Sequence, residues 1–227
     1  MGKSNNIAIY GARIDASAKV ILDTIQLQGT YTPAVFLDDN PDSANQKIDG
    51  IPVIGGREKL VDLKGSGIEG IIFNLGNNYI REELCLLSLT QGLTLINAIH
   101  PNSIIARDVK FGAGIWVAAG AIINSSVVIG DGVIINTGST IDHNCVISSY
   151  TNISPGCHLS GRTFIGPYSF LGTGAITIPD INVGKGAIVG AGAVVIKDVP
   201  PNSTVVVVPA RVIKKRSENY KENLICR

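Results

Sequence analysis

From Ser103 onward the chain keeps a six-residue period that never slips, and no other feature narrows its possible folds as much. Every sixth residue gives Ile105, Phe111, Val117, Ile123, Ile129, Ile135, Ile141, Ile147, Ile153, Leu159, Ile165, Leu171, Thr177, Val183, Val189 and Val195, and of these Thr177 alone is polar. Two places earlier the chain usually sets a small residue: Ala121, Ser139, Cys145, Thr151, Cys157, Thr163, Ser169, Ala187 and Ala193. One branched and one small inward side chain per hexad suit the interior of a narrow prism. A fixed hexad is the signature of a parallel β-helix, in which each repeat supplies a short strand and a turn and stacked coils bury what one coil cannot. The register predicts such a helix from about Ser103 to Asp198. With three hexads to a triangular coil, residues eighteen apart lie one above another at about 4.8 Å. His143 then stacks with Gly161, and Asn136 with Ser154, Gly172 and Gly190.

Composition agrees with this architecture. Only 5% of the 227 residues are aromatic while 45% are apolar, so the core must be built from many small and branched side chains. A formal net charge of +1 and the lack of any basic run before Arg211 to Arg216 predict no nucleic-acid partner, and those last basic residues read as a solvated end. Nowhere do about 18 apolar residues run together, and Met1 to Tyr10 is no signal peptide, so no membrane insertion is expected and the cytoplasm is the expected compartment. Cys85, Cys145, Cys157 and Cys226 lack metal-ligand spacing and read as free thiols, with Cys145 and Cys157 in inward slots.

The first 97 residues follow a different rhythm. A strand at Ile7 to Tyr10, a helix over Ala16 to Gln28 with Asp15 as its N-cap, and a strand at Ala34 to Leu37 form a βαβ unit. A short helix near Arg57 to Leu63, a strand Gly70 to Asn74, a helix from Asn78 to Ser88 and a strand Thr94 to Ile96 complete a small parallel sheet. The predicted organisation is a Rossmann-like α/β domain over 1–97, an all-β parallel helix over 98–213 and a tail over 214–227. Open parallel sheets bind ligands at the carboxyl ends of their strands, here Gly11, Asp38, Asp39, Gly76 and Asn77, with Asn78 beside them.

The stretch "IHPNSIIARDVKFGAGIWVAAGAIINSSVVIGDGVIINTGSTIDHNCVI", followed by "PGCHLSG" and by "IVGAGAVVIKDVPPNS" at Ile188 to Ser203, resembles the bacterial sugar acetyltransferases related to the sialic-acid O-acetyltransferase and the bacillosamine-pathway nucleotide-sugar N-acetyltransferase. The phrases "IAIYGA", "VFLDDN", "IPVIGG" and "NLGNNYIREEL" match the same group, and "INTGSTIDHNC" is the most specific element. The resemblance implies a left-handed β-helix, a homotrimer with active sites at subunit interfaces, acetyl-CoA as co-substrate along the helix, and an N-terminal domain that holds the uridine diphosphate of a nucleotide sugar. It also assigns the Gly161 amide to the acetyl oxygen.

His143 takes a turn position two residues beyond inward-facing Ile141 and should project outward. An amine or hydroxyl attacking a thioester must lose a proton, and an imidazole titrating near neutrality suits that task. Gly161, one coil later, offers an unobstructed N–H to the oxyanion. Asn144 departs from the Glu or Asp that relatives often carry after this histidine; its amide oxygen can still accept a hydrogen bond from the ring, and Asp142 is the alternative partner. Gly161, Ser154, Gly172, Gly190, Ala191 and Ala193 are the candidates for coenzyme A, the series Gly190 to Ala193 offering open backbone amides. Gly11, Asp38, Asp39, Gly76, Asn77 and Asn136 are the candidates for the nucleotide sugar. The loop "GARIDASAK" from Gly11 to Lys19 lacks the glycines of the related "GASGHGK", so a phosphate approaches the backbone less easily here. His158 should face outward without a role, and His100 should make a structural hydrogen bond.

Three readings compete. N-acetylation of a nucleotide-linked amino sugar, a UDP-4-amino-4,6-dideoxyhexose, leads; O-acetylation of a sugar hydroxyl is the near rival, and a non-catalytic β-helix scaffold is a third. A zinc enzyme on this fold would need three converging imidazoles, and His100, His143 and His158 do not share a corner, so no metal is expected.

Overall fold

The computed structural model describes residues 5–13 and 17–217. Asp15 and Cys226, assigned above as a helix cap and a free thiol, lie outside them. The N-terminal unit contains β1 (Asn6–Tyr10), α1 (Ser17–Gln28), β2 (Thr32–Leu37), a hairpin of β3 (Lys47–Ile48) and β4 (Ile51–Pro52), α2 (Leu60–Leu63), β5 (Gly70–Phe73), α3 (Asn78–Thr90) and β6 (Thr94–Leu95). A four-stranded sheet runs in the order β2-β1-β5-β6, all parallel. The strand order reverses direction between β1 and β5, and a crevice opens at the carboxyl ends of strands at such a point. The hairpin escaped the periodicity argument because two-residue strands carry no period.

Asn97 starts the solenoid: its amide nitrogen donates to the Gly112 carbonyl at 2.9 Å and its oxygen accepts from the Ile115 N–H at 3.0 Å, side-chain bonds that stand in for a missing lower coil. Three parallel sheets follow. The first face stacks Ala98–Ile99, Trp116–Val117, Ile134–Ile135, Asn152–Ile153, Phe170–Leu171 and Ile188–Val189; the second runs from Ile104–Ile105 to Val194–Val195, and the third from Lys110–Phe111 to Asn182–Val183. Pairing along these coils is between residues eighteen apart, as with Ile135↔Ile153 and Ile141↔Leu159. The inward set forms one core, with Cys145 and Cys157 inside it. Hydroxyls in the small inward slots reach corner carbonyls, such as Ser139 Oγ to Asn136 O at 2.8 Å and Thr151 Oγ1 to Ser148 O at 2.7 Å.

Beyond the first coil these corners place one residue in the left-handed region, and the edges do so differently. Between the first and second faces it is always glycine: Gly120, Gly138, Gly156, Gly174 and Gly192. Between the second and third faces it is Ser126, Asn144, Arg162 and Asp180. One edge is therefore a bare track and the other a ladder of polar side chains.

The C-terminal basic segment is not a loose end. Ser203–Val206 adds to the first face, and Arg211–Lys215 pairs antiparallel with it, so a strand continues past Ile213 into what the sequence assigned to a tail. Arg211 to Lys215 are solvent-exposed, as read, but their backbone closes the last coil; a single alternating strand beside a hexad array has no repeat to reveal it.

The N-terminal unit rests on the first face. Ala18, Ile21, Leu22 and Ile25 of α1 share a core with Trp116 and Ile134. Arg81 of α3, fully buried, donates to the carbonyls of Gly132 at 2.7 Å and Thr151 at 3.3 Å and to Asn78 Oδ1 at 2.8 Å. Asn78 Nδ2 in turn donates to the carbonyls of Tyr168 and Ser169, both at 3.0 Å. No helix among the described residues is long and apolar enough to cross a membrane.

Candidate active site

His143 is exposed on the polar edge, where the corner directs its side chain away from the core. Its Nδ1 lies 2.9 Å from Asn144 Oδ1. An amide oxygen can only accept, so Nδ1 carries the proton and the lone pair is on Nε2. Asp142 does not touch the ring: its Oδ1 accepts from the His143 backbone N–H at 2.8 Å and from Asn124 Nδ2 at 2.9 Å. Those bonds hold its carboxyl below the usual carboxylate range. Asp142 thus fixes the backbone of the turn, while Asn144 sets the tautomer.

Gly161 stacks on His143 one coil later. A Cβ there would lie 2.7 Å from both Cε1 and Nε2 of the imidazole, so the basic side of the ring rests against this glycine and leaves no room for any side chain. The next residue, Arg162, donates its backbone N–H to the His143 carbonyl at 2.9 Å, whereas the Gly161 N–H makes no hydrogen bond. Thr177 explains how that turn is held. The one polar member of the inward set accepts from the Ser160 N–H at 3.1 Å through Oγ1, and its carbonyl accepts from Ser160 Oγ at 2.7 Å, pinning the residue that precedes Gly161.

The candidates for coenzyme A gather in part. Ser154, Gly172, Gly190 and Ala191 line a groove of about 400 Å³ on the glycine edge, together with Phe170, Ile188 and Thr204. Gly172 is needed for packing as well, since a Cβ on it would meet the Ala191 nitrogen at 2.6 Å. The expectation for the series Gly190 to Ala193 needs correction. The Gly190, Gly192 and Ala193 amides donate to Val205, Thr173 and Gly190 carbonyls, and the Ala193 side chain is in the core; only the Ala191 N–H is left unbonded. Turn closure uses the others because each coil must satisfy its corner amides before any ligand arrives.

A second pocket, also about 400 Å³, opens where the sheet order reverses, between the N-terminal unit and the first face. Arg13, Ser17, Asn74 and Gly76 line one wall; Trp116, Asn136, Thr137, Asn152 and Pro155 are among those lining the other. Of the residues expected to hold the nucleotide sugar, it brings together Gly76 and Asn136. Gly11 lies behind it, its N–H bonded to the Leu37 carbonyl at 2.7 Å and its Cβ position filled by the Asn74 carbonyl oxygen. Asp38 accepts from the Ala12 N–H at 2.7 Å and Asp39 accepts from Arg57 Nη2 at 2.7 Å and from the Tyr10 hydroxyl. Burial works to raise the Asp39 pKa, but the Arg57 and Tyr10 bonds prevail and hold it below its ordinary value. Asn77 caps α3, accepting from Tyr79 and Ile80 N–H at 3.1 and 3.2 Å. Sequence reasoning missed Arg13, Asn74 and Asn152. The available signal for Asn152 was its polarity between apolar neighbours in the outward column Trp116, Ile134, Asn152, Phe170, Ile188, which ends on Thr204.

His158 faces solvent with Nδ1 2.9 Å from Thr140 Oγ1, and buried His100 accepts from the Asn102 N–H at 3.0 Å, both as expected.

A parallel β-helix with an exposed imidazole packed against a glycine whose N–H is unbonded, and with a pocket between its first face and a small α/β unit, is the architecture of an acyltransferase. Comparison with known proteins narrows the class. The PglD N-terminal domain matches residues 6–86. Among solved structures, PerB from Caulobacter crescentus in complex with CoA and GDP-perosamine is 34% identical, with 92% of this chain and 97% of that one covered and a TM-score of 0.86. The acetyltransferase domain of PglB from Neisseria gonorrhoeae, in complex with acetyl coenzyme A, is 37% identical over 92% and 100%, with a TM-score of 0.86. WeeI from Acinetobacter baumannii is 29% identical over 92% and 100%, with a TM-score of 0.84. No curated protein sequence matches the chain. The chain belongs to the bacterial sugar N-acetyltransferase family of PglD and PerB, and its β-helix is the left-handed form.

Proposed function

We propose that the protein transfers the acetyl group of acetyl coenzyme A to the amine of a nucleotide-linked amino sugar, with His143 as general base, in the cytoplasm. The acceptor is a 4-amino-4,6-dideoxyhexose; uridine diphosphate is the carrier expected from the sequence, and guanosine diphosphate is the carrier in the PerB complex. The observation that carries the reading is the contact between the Nε2 side of His143 and Gly161, whose N–H is unbonded. As the amine nitrogen bonds to the thioester carbonyl, Nε2 takes its proton, and the Gly161 N–H meets the oxygen that gains charge. Collapse of the tetrahedral intermediate expels coenzyme A thiolate, which the imidazolium protonates. Asn144 cannot stabilise imidazolium by charge, so its contribution is the tautomer.

We also propose that the working form is a homotrimer. His143 stands at one margin of the second face and Asn136 at the other, so the base and the sugar pocket of one chain lie on different edges of the prism. A neighbouring copy that brings its own His143 to the glycine edge completes the site. Exposed apolar side chains on the second and third faces, including Ile104, Ile176, Val128 and Phe164, support such a contact.

The test is product analysis by mass spectrometry, with acetyl coenzyme A and a panel of UDP- and GDP-linked amino and hydroxy sugars. The expected product carries one acetyl group on nitrogen. Acetylation confined to hydroxyls points to the O-acetyltransferase reaction, and failure with every amine removes the proposal.

A further inference from the structure

We infer that Asn152 is a specificity-determining residue, its side-chain carbonyl accepting a hydrogen bond from a hydroxyl of the acceptor's sugar ring. This rests on the reading that the acceptor is a nucleotide amino sugar. Asn152 occupies the outward slot of the first face, where its column neighbours Ile134 and Phe170 are apolar and buried. It is itself only 6% exposed, and its Oδ1 is buried with no hydrogen-bond partner. A residue chosen for packing alone would be apolar at this site, since a buried carbonyl without a donor is a standing cost to the fold. The same side chain lines the pocket at the point where the sheet order reverses. A donor arriving with a ligand resolves the mismatch.

The lining orders the ligand. Arg13 is the cationic residue of the pocket and belongs to the N-terminal wall, which suits a diphosphate at that end. The sugar then faces the β-helix wall. There Asn136 and Thr137 stand at the edge that an imidazole from another copy must approach, so the reacting amine belongs beside them. Asn152 is set back on the face, away from that edge, and meets a ring hydroxyl rather than the amine. A site built to receive a donor rejects an analogue without one, because its own acceptor stays unpaired.

Asn152→Leu tests this, because leucine is of similar volume and continues the apolar column. Calorimetric titration of GDP-perosamine and of a UDP-linked 4-amino-4,6-dideoxyhexose, each beside its parent nucleoside diphosphate, separates the sugar's contribution from the nucleotide's. Expected for the variant are a Kd for the nucleotide amino sugar raised tenfold or more, a Kd for the nucleoside diphosphate within twofold of wild type, and a Tm equal to or above wild type. With turnover, KM rises and kcat holds. The inference is overturned by an unchanged sugar affinity, by a fall in kcat at constant KM, or by a lowered Tm with joint loss of nucleotide and sugar binding, which marks a structural residue. It is also overturned if neither amino sugar binds wild type more tightly than its nucleoside diphosphate. Because binding is read directly, a wild-type protein that binds the sugar but acetylates no amine strikes the proposed reaction and leaves Asn152 standing.

Discussion

At the scale of single residues, the proposed chemistry turns on two groups that have little freedom. Asn144 holds Nδ1 of His143 in the protonated form, and Gly161 receives the other side of the ring. His143→Ala is expected to lower kcat by about 10²–10⁴. Asn144→Ala should cost less, since the tautomer is lost but the base remains, and Asn144→Asp should restore or exceed wild-type turnover by adding charge stabilisation. Initial rates at saturating acetyl coenzyme A measure all three; an Asn144→Ala enzyme as inactive as His143→Ala would mean that the amide does more than orient. Gly161→Ala puts a methyl group where the ring now is. It should displace the imidazole and depress kcat at least tenfold while the far-ultraviolet dichroism of the β-helix is unchanged. His143 and Gly161 were legible in the sequence because the hexad converts offsets of eighteen into contacts. The engagement of Asp38 and Asp39 was not, because their partners Ala12 and Arg57 are distant in sequence and no period links them.

At the scale of the element, one coil is a strand and a corner repeated three times, and its stability lies in what fills the corner. Thr177→Val keeps shape but removes the acceptor of the Ser160 N–H. A net loss of about 1–3 kcal/mol is expected from the stranded donor, read as a shift in the urea midpoint. A drop in kcat should accompany it because Ser160 precedes Gly161, and a variant with wild-type stability and rate would show the bond to be idle. The buried cysteines, Cys157 in an inward slot of the β-helix and Cys85 in α3, follow the same logic of enclosure. Burial pushes the Cys157 thiol up to about 11 and that of Cys85 up to about 12. Neither should react with iodoacetamide at pH 8 until the chain unfolds, and peptide mapping by mass spectrometry checks it. The inward slots could be read directly from periodicity; the closing strand Arg211–Lys215 could not, since it is a single strand whose only warrant is the unpaired edge it covers.

At the scale of the whole molecule, the proposed mechanism draws on the assembly, because His143 and the pocket between the two units lie on different edges of the prism. Co-expressing a His143→Ala chain with an Asn136→Arg chain, each inactive alone, should restore about a quarter of wild-type activity, because a shared site needs an intact histidine from one copy and an intact pocket from the next, each present half the time. No recovery, with mixed oligomers verified by mass, would place both groups in one chain's site. Arg81 ties the two units of each chain together through buried carbonyls of Gly132 and Thr151. Arg81→Met strands those acceptors and should speed hydrogen exchange in α3 while leaving the coils around Ile147 protected.

What the sequence determined by itself was everything that repeats: the solenoid, its inward residues, the stacking of His143 on Gly161 and the βαβ rhythm before it. Periodic burial writes such features into the chain at fixed spacing, where they need no third dimension to be seen. Only the tertiary structure decided which open amides survive turn closure, which carboxylates are already taken, and that the pocket joins Arg13 and Asn74 to Asn152. Those are meetings of distant segments on two differently built units, and hydrogen bonding and packing between them settle partners that no local pattern encodes.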